Sequence, residues 1–334
     1  MMMDQEDRFV RLSQWLREDL GIVFSKLVPA SSDASFRRYF RLMTNDGPYV
    51  VMDAPPGRED SRPFIEIAKT LKRYGLHVPE VFASDLDNGF LLLTDMGETD
   101  YLSMLNSDNA DRMYKSAIDS LITMQSAGSS QGLILPKYDQ DLLLSEMALF
   151  RDWLLQKHLA VHLTDSESRD LEITFNLLIK NALEQPQVLV HRDYHSRNLM
   201  LSEESGPGIL DFQDALIGPI SYDLVSLLRD CYISWPQNRQ EDWVEYYCQN
   251  AVEQQLIAEN EIIRFIKWFN LMGVQRHLKA SGIFARLYHR DGKSGYLNDI
   301  PRTLTYITVV ADQYPELKPL SDLLERRVLP RLAA

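Results

Sequence analysis

VLVHRDYHSRNLMLSEESGPGILDFQD, residues 188–214, is the stretch that decides how this chain is read. Three short apolar segments, QVLV (187–190), NLML (198–201) and GILD (208–211), are split by polar loops. Asp193 stands two residues after His191, Asn198 five after Asp193, and Asp211 thirteen after Asn198. A single loop Asp is ordinarily a turn or cap residue. Four polar positions at these intervals, the last ending a strand-like segment, supply what phosphoryl transfer from ATP requires. A carboxylate must accept the proton of the attacking hydroxyl, and an amide oxygen and a second carboxylate must hold magnesium against the phosphates. On this reading Asp193 is the catalytic base, Asn198 and Asp211 are the metal ligands, ATP and Mg2+ are the cofactors, and His191 shapes the loop. A metal-dependent hydrolase built on His191, Asp193 and His195 is the competing reading, and it leaves Asn198 and the LDF segment without a role.

Upstream, the spacing of Phe9, Leu12, Trp15 and Leu16 predicts an amphipathic helix over 5–19, ended by Gly21. SSDASFRRYFRL (31–42) and YVVMDAPP (49–56) flank an Asn45-Asp46-Gly47-Pro48 turn and read as a β-hairpin. A helix over 62–74 follows, burying Phe64, Ile67, Ala68 and Leu71, and then HVPEVFASD and GFLLLTDMG (89–97) as strands. Beyond Gly97 the period becomes helical over 108–127, 139–158 and 165–184, with a Thr164/Glu167 capping box, and again from 222 onward. The expected organisation is α+β and two-lobed, a small β-rich lobe over 1–97 and a larger helical lobe over 98–334.

The 334 residues carry 35 Lys and Arg against 48 Asp and Glu, a net charge of −13. That argues against nucleic acid, which demands clustered cations. Two cysteines, Cys231 and Cys248, do not make a disulfide scaffold, so a reducing cytoplasm is expected. The N-terminus lacks the layout of a signal peptide, no apolar run is long enough to span a membrane, and no obligate protein partner is expected.

HRDYHSRNLM, GILDFQDALIGPISYDLVSLLRD and GFLLLTDMG resemble the aminoglycoside phosphotransferase family, whose fold is protein-kinase-like. Longer segments, SSDASFRRYFR (31–41), VVMDAPP and QRHLKASGIFARLYHRDGKSGYLNDIPR (275–302), are similar to the family's anomeric sugar kinases of cell-wall recycling. The resemblance implies ATP-dependent phosphorylation of the C1 hydroxyl of N-acetylmuramate and N-acetylglucosamine. It also implies that Leu93, Thr94, Asp95 and Met96 form the hinge whose backbone meets adenine, and that Asp223 braces the catalytic loop. His195, Arg197, Asp214 and Arg276 are the candidate substrate-binding residues. Aminoglycosides and amino alcohols are the alternative acceptors, and a catalytically silent nucleotide-binding module is the alternative class.

The chain departs from the family at the phosphates. The strand Tyr49-Val50-Val51-Met52-Asp53 has no Lys, and the preceding loop has no Gly. Ser31, Ser32 and Ser35, with an Arg, are the expected replacement. Arg37, Arg38 and Arg41 are the candidates; in a strand Arg37 and Arg41 share a face and Arg38 takes the other. Residues 276–302 hold six Lys or Arg against Asp291 and Asp299, a local basic excess that favours an anionic or neutral sugar over a polycation.

Overall fold

The computed structural model describes residues 5–31, 36–127, 133–202 and 206–332. The chain divides into two compact units: Met1–Thr99 with Met200–Gln213, and Asp100–Leu199 with Asp214–Ala334.

In the first unit, α1 (Gln5–Gln14) runs on as a π-helical turn, Trp15–Asp19. Strands β1 (Phe24–Ser31), β2 (Arg38–Thr44) and β3 (Gly47–Asp53) precede α2 (Arg62–Arg73), and β4 (Val81–Asp85) and β5 (Phe90–Thr94) follow it. The five strands form one antiparallel sheet in the order β1-β2-β3-β5-β4. Side chains alternate across a strand. Phe40, Leu42, Val51, Phe90 and Leu92 therefore share one face, and Leu12, Trp15 and Leu16 from the N-terminal helix cover it. β1 was not foreseen from the sequence, and the strand expected from residue 31 starts only at Arg38. β3 stops at Asp53, short of Pro55 and Pro56, whose nitrogens cannot join a ladder.

Asp53 lies on the face covered by α1 and is fully buried. Its Oδ1 accepts from Arg8 Nε at 3.0 Å and its Oδ2 from Arg38 Nε, the residue opposite it in register, also at 3.0 Å. Each guanidinium makes a second contact to the same oxygen. One carboxylate thus ties the N-terminal helix to two strands.

The second unit holds α3 (Tyr101–Met104), α4 (Ala110–Ala127), α5 (Gln140–Leu149), α6 (Asp165–Leu183), β6 (Gln187–Val190) and the first residue of β7 (Leu199–Met200). β7 pairs with β8 (Gly208–Ile209), and β6 pairs antiparallel with β9 (Leu216–Pro219). Helices α7 (Tyr222–Leu228), α8 (Gln237–Glu253), α9 (Ile262–Asp291), α10 (Ile300–Ala311), α11 (Lys318–Leu323) and α12 (Leu329–Leu332) complete it. The thirty-residue α9 is its axis, packing against α5, α6, α7 and α10. The Thr164/Glu167 capping box opens α6. The helix expected over 139–158 is α-helical only to Leu149 and π-helical over Phe150–His158. Among the described residues no helix is long and apolar enough to cross a membrane.

Residues 200–213, which the sequence assigned to the second lobe, belong to the first unit. Leu201 N donates to Thr99 O and Ile209 N to His77 O, each at 2.8 Å. Phe212 stacks on Phe64 of α2, with ring centroids 4.8 Å apart. Strands of two residues are too short for side-chain alternation to reveal where they pack.

Two changes test this framework. A Cβ on Gly282 of α9 would lie 2.3–2.5 Å from the backbone of Leu149 and Phe150, where α5 turns into the π-helix. Rigid backbone cannot yield as a side chain does, so Gly282→Ala is expected to cost about 1–3 kcal/mol. Gly295→Ala, with open space around it, is the control in thermal unfolding. Asp53→Asn leaves Arg8 and Arg38 without their buried counter-charge and is expected to cost about 3–5 kcal/mol in urea unfolding, the typical loss when one partner of a buried ion pair is removed.

Candidate active site

The loop 191–198 leaves β6 and is held from below by two buried acids. Asp223, in the first turn of α7, accepts from His191 N at 2.6 Å (Oδ2) and from Arg192 N at 3.0 Å (Oδ1). Arg192 adopts a φ of 79°, a left-handed conformation that side chains disfavour. Two N–H groups aimed at one carboxylate account for it. Burial pushes the Asp223 carboxyl up to about 7, against the pull of those two donors. Asp230, just beyond α7, accepts from Ser196 N at 3.0 Å and Ser196 Oγ at 2.5 Å through Oδ2, and from Tyr232 N at 3.0 Å through Oδ1. Within the loop, Asp193 N donates to His191 Nδ1 at 3.2 Å, and Asn198 Nδ2 donates to Asp193 O at 2.9 Å. The His191 ring stands edge-on to Tyr194, whose hydroxyl donates to Ala117 O at 2.8 Å. The contacts of the His191 ring are thus within the loop and to the side chain of Tyr194.

The surroundings of Asp193 are cationic. Burial would push its carboxyl up, but Lys279, His195, Arg276 and His191 outweigh burial and hold it below the usual carboxylate range. Lys279 Nζ donates to Tyr222 Oη at 2.9 Å and pairs with Glu146 Oε1 at 3.0 Å. The same Glu146 oxygen receives Arg192 Nη2 at 2.5 Å, and Tyr138 donates to the other oxygen. Burial pushes Glu146 up, and the two cations bring it below its ordinary value. For Lys279 burial works downward, while Tyr222 and Glu146 raise it above its ordinary value. A buried cation is therefore kept charged near Asp193 by an acid one step further away.

Among the candidate substrate residues, His195 is buried and driven toward its neutral form by burial, against Asp230 and Asp193. Its ring is edge-on to Tyr232 at 5.4 Å, and the Arg197 guanidinium lies 3.7 Å from the centre of that same ring. Arg276 reaches Cys231 Sγ at 3.6 Å. Asp214 is exposed.

The remaining expected positions lie in the first unit. Asp211 has a φ of 64°, and its Oδ1 accepts from Gln213 Nε2 at 2.6 Å. The buried Phe212 that follows anchors it to α2. Of the four positions expected at the hinge, Leu93 and Thr94 lie within β5, which is paired on both sides, and Asp95 and Met96 lie beyond the ladder. Asp95 is itself fastened: Arg41 reaches its Oδ2 at 2.5 Å and its Oδ1 at 2.9 Å, Gly97 N donates to Oδ1 at 3.0 Å, and Arg41 also pairs with Glu98. Ser32 and Ser35 lie outside the described residues, and Ser31 ends β1. Of the three arginines, Arg38 pairs with Asp53 on the covered face, Arg41 with Asp95, and Arg37 with Glu59 at 2.7 Å.

Glu146 and Asp230 were missed by sequence reasoning, and Lys279 was read only as part of a basic excess. The available signals were weak: Glu146 is a lone acid within LLLSEMALF, and Asp230 follows Asp223 by two helical turns.

The phosphotransferase enzyme family (APH) matches residues 26–258, and the chain belongs to that family. It is 46% identical to the N-acetylmuramate/N-acetylglucosamine kinase of Pseudomonas aeruginosa over 96% of this chain and 97% of that protein. It is 42% identical to the protein of the same name from Neisseria meningitidis serogroup B, over 95% of each. Among solved structures it is similar to ADP-bound aminoglycoside phosphotransferase APH(2'')-Ib (TM-score 0.59, 17% identity, 91% of this chain and 98% of that one). It is also similar to the choline kinase LicA of Streptococcus pneumoniae (TM-score 0.60, 12% identity, 90% and 99%). The fold is protein-kinase-like, as the resemblance implied.

Lys279 provides a test of the electrostatics. Removing the leading cation lets burial raise the Asp193 carboxyl, so in Lys279→Met the acidic limb of the kcat/KM profile is expected to move to higher pH. A profile whose acidic limb coincides with wild type refutes the assignment of Lys279 as the group that keeps Asp193 ionised.

Proposed function

We propose that this chain transfers the γ-phosphoryl group of ATP to the anomeric C1 hydroxyl of N-acetylmuramate and N-acetylglucosamine, a step in the recovery of cell-wall sugars in the cytoplasm. The observation that carries the reading is the loop of Asp193, whose backbone is braced by Asp223 at His191 and Arg192 and by Asp230 at Ser196, with cations that hold the half-buried Asp193 carboxyl below its ordinary range. The two curated relatives described above supply the sugar by the activity in their names.

In this mechanism Asp193 orients the C1 hydroxyl and accepts its proton as the oxygen attacks phosphorus. A low carboxyl pKa makes Asp193 a weak base in the ground state. It suits a transition state in which the proton leaves late and placement supplies most of the rate. Asn198 and Asp211 are oxygen donors, the class magnesium takes, and the bond from Asn198 Nδ2 to Asp193 O fixes which end of that amide is the oxygen. When bound, magnesium neutralises phosphate charge and aligns the transferred group. Asp95 and Met96 would present backbone to adenine. Arg37 is the candidate for the charge that Met52 does not provide, with Ser31, Ser32 and Ser35 as further phosphate donors. His195, Arg197, Asp214 and Arg276 are assigned to the sugar side.

Phosphorylation at C1 destroys the reducing end, which gives a direct assay. With ATP and magnesium, N-acetylmuramate and N-acetylglucosamine are each expected to yield a sugar phosphate by 31P NMR and to lose their reducing-sugar signal in equal measure. A phosphorylated product that still reduces, or turnover of kanamycin alone, overturns the assignment. Asp193→Asn is expected to lower kcat about 10²- to 10⁴-fold while ATP binding by calorimetry and the melting temperature stay near wild type.

A further inference from the structure

We propose that Arg276 is the residue that recognises the lactyl carboxylate of N-acetylmuramate. This deepens the functional reading above and rests on it.

Arg276 lies midway along α9 and is 6% exposed. Its Nη1 has only the sulfur of Cys231 at 3.6 Å, a weak acceptor, and its Nε has no partner. No ion pair to it occurs among the described residues, whereas the neighbouring cations Lys279 and Arg192 share Glu146. The cost of burying this guanidinium is offset only at longer range, by Cys231, Tyr222, Asp230 and Asp193, and no carboxylate is hydrogen-bonded to it. A cation left in that condition next to a catalytic loop fits an anion that arrives with the substrate.

The surroundings say which part of the substrate. Cys231 is followed by Tyr232, whose ring faces both His195 and Arg197 of the loop that carries Asp193. Phe284, one α9 turn on from Ser281, lies 6.4 Å from the Tyr232 ring and stacks on Tyr296. Arg302 Nη1 donates to Cys231 O at 2.6 Å and to Asp299 at 2.9 Å, so the segment is pinned in place. An aromatic wall beside cations suits a sugar ring bearing an acid, the ring packing on Tyr232 and the acid meeting a guanidinium fork. Arg276 also contributes to holding Asp193 in its charged form, so the two groups lie within electrostatic reach of each other. On N-acetylmuramate the lactyl group hangs from C3, two ring carbons from the reacting C1. N-acetylglucosamine has a neutral hydroxyl there, and the two sugars otherwise present the same atoms. Were Arg276 only to support Asp193 or the transferred phosphoryl group, both sugars would depend on it equally.

The test uses the full chain with N-acetylmuramate, its uncharged methyl ester and N-acetylglucosamine. For the wild type, kcat/KM is expected to fall at least about tenfold from acid to ester, the loss of one charge-assisted contact. This arm requires no variant and so does not depend on one folding. In Arg276→Gln the acid-to-ester ratio is expected to approach one, and the N-acetylmuramate to N-acetylglucosamine ratio to fall at least about tenfold, with Arg276→Lys recovering part of both. A wild type that treats acid and ester alike overturns the proposal, as does a variant that loses the two sugars in equal proportion. A wild type that phosphorylates neither sugar removes the functional reading itself and the proposal with it, an outcome distinct from the other two.

Discussion

The hydrogen bonds from His191 N and Arg192 N to Asp223 are the constraint on which the rest of the site depends. They bend the chain at the end of β6, hold Arg192 in a left-handed conformation, and so set the direction in which Asp193 leaves the strand. Asp230 repeats the device five residues further along the loop, taking both the N–H and the hydroxyl of Ser196. Both acids flank one short helix, α7, and the loop therefore inherits its placement from that helix and from α9 behind it. Preorganisation of this kind is what phosphoryl transfer asks of a protein, since the covalent chemistry is slight.

Charge is distributed within the chain in a way that net composition hides. A protein of net charge −13 places Lys279 and Arg276 in the interior of its second unit, with a half-buried Arg192 beside them, where charges act over a short distance and with little screening. Glu146 is what makes two of them tolerable: it lies on α5, and by pairing with Arg192 from the loop and Lys279 from α9 it ties three elements together. The catalytic loop and the long helix are thus coupled through one buried acid. Loss of Glu146 would leave two buried cations without their partner, a more disruptive change than loss of either cation.

In the first unit strand β3 carries no Lys, and its Met52 is fully buried. The neighbouring arginines carry distinct structural duties. Arg38 and Arg8 neutralise Asp53, which would otherwise be a bare carboxylate under the sheet, and Arg41 fastens Asp95 and the carbonyl of Gly97. A basic run such as FRRYFR is in this chain chiefly an internal scaffold, with each guanidinium assigned by strand alternation to a different carboxylate.

Much of this was legible in the sequence where the signal is local. Regular periods gave α1, α2, α4 and α6; the Asn-Asp-Gly turn gave the β2–β3 hairpin; and the intervals from His191 to Asn198 marked a loop whose residues act on one another across a few bonds of chain. The two-residue strands β7 and β8 and the edge strand β1 were blurred or missed, since strands so short or so one-sided leave no alternation to read. What only the tertiary structure decided is which distant residues share a charge. Arg192 and Lys279 are 46 and 133 positions from Glu146 along the chain, yet one carboxylate oxygen meets both. Asp53 and Arg8 are likewise 45 residues apart. Hydrophobic period fixes which face of an element is buried, but the partner of a buried charge is set by how the elements cross, and that is a property of packing which no local pattern encodes.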